Sequence, residues 1–272
     1  MIGQERNKAI IKDLVDNNSF PRFLIVEGKK GQGKHEICRY IADKLSIPCV
    51  FFNNKVDSVR NMISLAYTQS NPILYCVEDC QDMSVNAKNS LLKICEEPCE
   101  MAYIALLTTN DSLLETLKSR AITIKLTPYS IQDKKDYLSN KDVYIDPKVQ
   151  QYILEIAENM GQIEQLLQMS DVKEFVGFVN KVTNGIDKAN IGNALKITAS
   201  LKLKQDGEGY DPILFLQTLK FCLYEQAQQE KDKMFINYKK INIINKSIYQ
   251  LMNKGYNSQA ILDCMVISLR EA

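Results

Sequence analysis

An open parallel α/β sheet followed by helical segments is the architecture the sequence predicts, and three observations carry it. Short apolar runs recur through the first half of the chain, each followed by residues whose apolar positions fall at helical spacing. Two of these runs end in useful chemistry, one in a turn rich in glycine and lysine, the other in a pair of carboxylates. After residue 126 only the helical period remains. At 272 residues the chain exceeds what one core usually supports, so two or three units are expected. The pattern divides them into an α/β unit over 1–126, a small helical lid over 127–170 and a helical unit over 171–272.

The first element to carry chemistry is the apolar strand Phe23 to Val26. It runs into Glu27-Gly28-Lys29-Lys30-Gly31-Gln32-Gly33-Lys34-His35 and then into a helical pattern through Ile37, Tyr40, Ile41 and Leu45. Strand, glycine-rich turn with lysine, and helix is the order of a P-loop. Gly28, Gly31 and Gly33 permit positive φ and let backbone N–H groups approach phosphate, while Lys34 offers a point charge to the β and γ phosphates. A chance glycine loop would lack the strand before it, the helix after it and the acids downstream. Position 35 departs from the motif. A Ser or Thr hydroxyl that ligates Mg²⁺ belongs there, and the chain has His35, its only histidine. Mg²⁺ prefers oxygen donors, so this exchange weakens hydrolysis more than phosphate binding.

Ile73 to Val77 is a second apolar run, as expected of a central parallel strand, and Glu78 and Asp79 follow it. Ligands bind at the carboxyl edge of such sheets, so two acids there can hold a metal or orient a water, or else simply be solvated. A helix from Asn86 through Glu96-Glu97-Pro98 comes next. Tyr103 to Leu107 forms another strand ending in Thr108-Thr109-Asn110, and Ile122 to Leu126 a further one. Ser130 is the expected N-cap of the first helix beyond the sheet. Ile213, Leu216, Leu219, Phe221 and Leu223 mark a helix in the last third, after a polar break at Gln205 to Gly209.

Composition excludes several classes. Lys plus Arg number 34 against 33 acids, a net charge of +1, so no global basic field attracts nucleic acid and any DNA contact is local. No apolar run reaches the length of a membrane span and no signal-peptide pattern opens the chain, which leads to the expectation of a cytoplasmic protein. Of eight cysteines, Cys76 and Cys80 bracket the acidic pair, while Cys95 and Cys99 bracket Glu96-Glu97-Pro98. Close-spaced zinc ligands sit on turns, whereas Cys76 belongs to a strand and Cys95 to a helix, so free thiols are expected rather than zinc.

These motifs together resemble the clamp-loader branch of the AAA+ ATPases, most closely the delta-prime subunits of bacterial DNA polymerase III. Residues 86–98 resemble the helix that follows the acidic strand in that family, Thr108 and Thr109 its sensor 1 strand end, and Ser119-Arg120-Ala121 its Ser-Arg-Cys motif with Ala in place of Cys. Met1 to Gln4 and Val56 to Arg60 resemble its opening and the helix before the acidic strand. The resemblance implies a P-loop AAA+ domain, a helical lid and a helical collar that builds a ring. It implies ATP or ADP with Mg²⁺ at Gly28, Gly31, Gly33, Lys34 and His35, with Glu78 and Asp79 as the Walker B-like pair. It also implies that Arg120 serves as a finger reaching the ATP of a neighbouring subunit. Implied partners are the other subunits of a hetero-oligomeric ring, the sliding clamp, and primer-template DNA through the assembly. The family's pair usually reads Asp-Glu, and its sensor 2 helix carries an Arg, where this chain has Gln162 and Glu164. Together with His35, these departures point to a ring member that does not hydrolyse ATP. The alternative is a gamma/tau-like motor subunit that does.

Overall fold

The computed structural model describes residues 1–97, 99–109, 113–141, 144–186, 190–200, 211–230, 234–252 and 257–272. Pro98, Asn110 and the polar break at 205–209 lie outside the described residues. Two compact units make up the chain, one of residues 1–142 with 159–161, the other of 143–158 with 162–272. The expected lid over 127–170 is not a unit of its own in this division, since 127–142 belong to the first unit and most of 143–170 to the second.

In the first unit, five strands form one all-parallel sheet: β1 (Phe23–Glu27), β2 (Cys49–Phe52), β3 (Ile73–Val77), β4 (Ala102–Thr108) and β5 (Ile122–Lys125). Their order is β2-β3-β4-β1-β5. The helices are α1 (Glu5–Asp16), α2 (Lys34–Leu45), α3 (Val56–Thr68), α4 (Val85–Glu96), the single turn α5 (Glu115–Lys118) and α6 (Ile131–Ser139). Alternation sends side chains to opposite faces, and in the central strands β1, β3 and β4 both faces are buried, which is why these read as unbroken apolar runs. Phe23, Ile25, Tyr75, Val77, Ile104 and Leu106 pack on one side against Val59, Met62 and Ala66 of α3 and Ala87, Leu91 and Ile94 of α4. Leu24, Val26, Leu74, Cys76, Ala105 and Leu107 pack on the other against Ile11 of α1 and Ile37, Cys38 and Ile41 of α2.

Gln4 ties the start of the chain to the end of the sheet. Its amide nitrogen donates to Thr127 O at 2.7 Å, and its Oε1 accepts from Thr127 N at 2.9 Å. The expected cap at Ser130 is present as a reciprocal box. Ser130 Oγ accepts from Asp133 N at 3.0 Å and Asp133 Oδ2 accepts from Ser130 N at 2.8 Å. Ser130→Ala is expected to cost about 1 kcal/mol in denaturant unfolding. A cost indistinguishable from zero means that the box contributes nothing.

The second unit is helical: α7 (Pro147–Ile156), α8 (Met160–Leu167, its first two residues assigned to the first unit), α9 (Val172–Ile186), α10 (Ile191–Ser200), α11 (Pro212–Gln229), α12 (Met234–Met252) and α13 (Ser258–Glu271). Asp211 opens α11, its Oδ1 accepting from Ile213 N and Leu214 N, with Pro212 at the first helical position. Leu214, Phe215, Leu216, Thr218, Leu219, Phe221, Cys222 and Leu223 are all buried, so the first half of α11 is covered on every side, as a central helix must be, while its second half exposes Tyr224. It packs against α7, α9 and α12.

Candidate nucleotide site

Strand order decides which sequence motifs meet. The loop after β1 and the acids after β3 both leave the carboxyl edge of the sheet, with β4 between them, so the two motifs start about 10 Å apart. Thr108 closes β4 between them and is paired in register with Glu27. Its carbonyl accepts from Gly28 N at 3.0 Å, which fixes where the loop starts. Thr109 N donates to Gln81 Oε1 at 3.1 Å, joining the end of β4 to the turn after the acids. Gly28, Lys34, Glu78, Asp79, Thr108 and Thr109 are therefore brought to one edge, a topological position where ligands bind in open α/β sheets.

The loop demands its glycines for distinct reasons. Gly31 and Gly33 have φ of 78° and 89°, in the left-handed region that glycine enters without cost. At Gly31 a Cβ would also collide with the Asn159 side chain, and at Gly33 with the Tyr129 hydroxyl. Lys34 begins α2, so its backbone and the amides after it face the loop with the helix's positive end. Its side chain folds back, Nζ donating to Gly28 O at 2.7 Å and Lys29 O at 3.1 Å. Burial holds the Lys34 ammonium below its ordinary pKa, opposed by Asp79 and reinforced by Lys30.

Two residues with no motif signature close the loop. Gln32 Oε1 accepts from Lys29 N at 2.7 Å, and its amide nitrogen donates to Leu126 O at 3.3 Å. Tyr129 OH donates to Gln32 O at 3.0 Å. Burial, then the nearby carboxylates of Asp133 and Glu36, push the Tyr129 phenol up to about 12, so the proton that makes this bond stays in place at neutral pH. Nothing in the sequence marks either side chain, because the bonds run to carbonyls brought near by β5 and the loop's own turn.

His35 and Glu78 meet directly. His35 Nε2 donates to Glu78 Oε1 at 2.6 Å, and the imidazole ring lies 4.7 Å from the Phe51 ring. Asp79 has φ of 46°, an uncommon backbone for a residue with a side chain, held by Asn54 Nδ2 on its carbonyl at 3.0 Å. Its Oδ1 accepts from Gln81 Nε2 at 3.2 Å. This donor set does not fit Mg²⁺, which takes six oxygens in a near-octahedral shell. A nitrogen stands at the hydroxyl's position, and it occupies an oxygen of the carboxylate that would face the metal.

Arg120 is not part of this edge. It precedes β5, whose residues pair in parallel register with β1 from Leu24↔Ile122 to Glu27↔Lys125. The loop follows β1, so Arg120 lies at the opposite edge of the sheet, separated by about 10 Å of strand or more. There its guanidinium contacts Glu96 Oε1 at 3.1 Å and Thr116 O at 2.8 Å. Both partners of the ion pair are exposed, and such a pair is worth about 0–1 kcal/mol. Gln162 and Glu164 lie on α8, which contains no arginine.

Four cysteines flank these motifs without forming a cluster. Cys76 faces the α1/α2 side of the sheet and Cys80 the α3/α4 side, so the sheet itself separates the first close-spaced pair. Cys76 Sγ lies 3.5 Å from Cys49 Sγ instead. Among the described residues, no group of three or more His, Cys, Asp or Glu side chains is arranged to hold a metal ion. None of the described helices is long and apolar enough to cross a membrane.

Known proteins agree with this reading of the fold. Residues 46–130 match the family described as DNA polymerase III, delta subunit. The chain is 22% identical to DNA polymerase III subunit delta′ of Bacillus subtilis (strain 168), a match covering 63% of this chain and 61% of that one. A DNA polymerase III gamma subunit-related protein of Thermotoga maritima superposes with a TM-score of 0.53 at 16% identity, over 97% of this chain and 98% of its own. The RuvB Holliday junction branch migration motor of the same organism gives 0.52 at 17% identity, over 85% and 84%. At these identities the structural likeness speaks for the fold, an α/β P-loop domain followed by helical domains. The sequence match is thus to DNA polymerase III delta-type subunits, and the fold is shared with P-loop proteins of this architecture.

Proposed function

We propose that this chain is a subunit of a clamp loader in the cytoplasm that does not hydrolyse ATP itself and lends Arg120 to the ATP of a neighbouring subunit. The ring so formed uses ATP to load a sliding clamp onto primed DNA, and the helical C-terminal unit contributes its collar. The observation that carries this reading is the position of Arg120 at the sheet edge opposite the chain's own loop, where it cannot serve that loop but is open to another molecule. A guanidinium held at the surface by one exposed carboxylate and a backbone carbonyl can exchange them for a phosphate, which it binds bidentately. The occupation of Glu78 by His35, and an α8 without arginine, support the lack of turnover.

The isolated chain is expected to show negligible ATPase activity in a coupled phosphate-release assay. Turnover in the range of ordinary enzymes, about 1 to 10³ s⁻¹, that disappears in Lys34→Ala would establish the motor reading instead. A net charge of +1 further leads to weak binding of primer-template DNA by the chain alone at physiological salt, and tight, salt-sensitive binding in an anisotropy titration would count against it.

A further inference from the structure

We propose that the loop of residues 28–35 binds nucleoside di- and triphosphates in their metal-free form, the His35–Glu78 pair filling the place of the divalent ion and Lys29, Lys30 and Lys34 supplying its charge. The inference rests on reading 28–35 as a phosphate loop and adds to it the chemical form of the ligand.

Three observations point the same way. His35 Nε2 on Glu78 Oε1 at 2.6 Å closes the gap between loop and acidic strand that a bound ion would otherwise bridge, and the Phe51 ring backs the imidazole at 4.7 Å. Of the two acids, Asp79 also has one oxygen engaged, by Gln81 Nε2 at 3.2 Å, so each acid has an oxygen committed to the protein that a hard ion would otherwise compete for. The loop compensates in charge. Three lysines fall within residues 29–34, Lys29 and Lys30 are exposed at its surface, and Lys30 is close enough to disfavour the charged form of Lys34. Crowded cations of this kind gain most from the ligand with the highest negative charge. Binding of Mg²⁺ to a nucleotide removes two of its charges and brings a cation toward the lysines, so the metal complex is the poorer ligand.

The present hydrogen bonds show how a phosphate would enter. Lys34 Nζ rests on Gly28 O and Lys29 O, and Lys29 N rests on Gln32 Oε1. A phosphate oxygen exchanges these acceptors for charged ones, which is favourable because charge-assisted bonds are the stronger.

The test is calorimetric titration of the full chain with ADP and ATP, once in EDTA and once with Mg²⁺ in excess over nucleotide. Binding in EDTA is expected to be as tight as, or tighter than, binding with Mg²⁺, and to weaken as salt is raised. Lys34→Ala should abolish it, and Lys30→Ala should weaken it by about tenfold. His35→Thr, which frees Glu78 and restores the hydroxyl, should make binding tighten on addition of Mg²⁺. Thermal melts of each variant confirm that it is folded. The proposal is overturned if Mg²⁺ tightens binding to the parent by about tenfold or more, or if neither nucleotide binds in EDTA at millimolar concentration. It is equally overturned if a folded Lys34→Ala chain binds as the parent does, or if His35→Thr remains indifferent to Mg²⁺. None of these arms involves a second subunit, so their failure leaves the role of Arg120 standing, and loss of that role leaves this one standing.

Discussion

Replacing Arg120 by Ala is expected to lower turnover at the one neighbouring ATP site it reaches in a reconstituted ring by about 10³ to 10⁵, the range in which an arginine supplied in trans stabilises phosphoryl-transfer charge, and the DNA-stimulated ATPase of the whole ring by at least that site's share. The change belongs to kcat, because the guanidinium meets charge that develops in the transition state, while KM for ATP moves little. Arg120→Lys should restore only part of the rate, since an ammonium cannot make the planar two-pronged contact. Loss of the bond to Glu96 is a separate and small matter, worth about 0–1 kcal/mol, so the variant should fold and assemble as the parent does. Glu96→Gln is the matching control and should leave ring ATPase near the parent value. Should the partner subunits turn over ATP as fast with Arg120→Ala as without it, in rings of normal composition, the arginine has no part in their chemistry.

The largest expected effect on stability comes from β4. Leu106 is fully buried at the centre of the sheet, between Ile25 on β1 and Val77 on β3, and faces α3 and α4. Leu106→Ala removes its transfer free energy and leaves a cavity that flanking strands cannot collapse to fill, at a cost of about 2–5 kcal/mol. Stabilities of natural proteins are about 5–15 kcal/mol, so this is a large share. Val85 is 68% exposed at the start of α4, and Val85→Ala should change stability by no more than about 0.5 kcal/mol. Urea unfolding of the two variants compares them. A Leu106→Ala chain as stable as Val85→Ala would mean that β4 is not the packed centre of the sheet.

The sheet was legible in the sequence because its three central strands β1, β3 and β4 are apolar runs next to a residue type with a positional meaning, while β5 read only from the alternation of Ile122, Ile124 and Leu126. Glycines mark the turn after β1, carboxylates the end of β3, threonines the end of β4. The helix after the acids begins at Val85, where Ser84 Oγ caps it by accepting from Ala87 N at 3.2 Å, one residue before the resemblance places it. β2 was not legible. Cys49 to Phe52 is only four residues long, with intermediate or exposed side chains, and its strand character comes from pairing with β3 rather than from its own pattern. Yet β2 provides Phe51, against which His35 packs.

The sequence by itself determined the kind of chemistry this protein can approach: a glycine loop with lysines, two acids after a strand, and a histidine where a metal-ligating hydroxyl belongs. Those are properties of residue type and local order, which the chain carries wherever it folds. Only the tertiary structure decided what these groups do to one another. His35 reaches Glu78 because β3 and β1 stand on either side of β4, and Gln32 and Tyr129 close the loop because β5 ends beside it. Arg120 is denied to its own loop because parallel register sets the start of β5 at one edge and the end of β1 at the other. Each of these is a contact between residues far apart in sequence, fixed by strand order and register, and a local pattern holds no information about either.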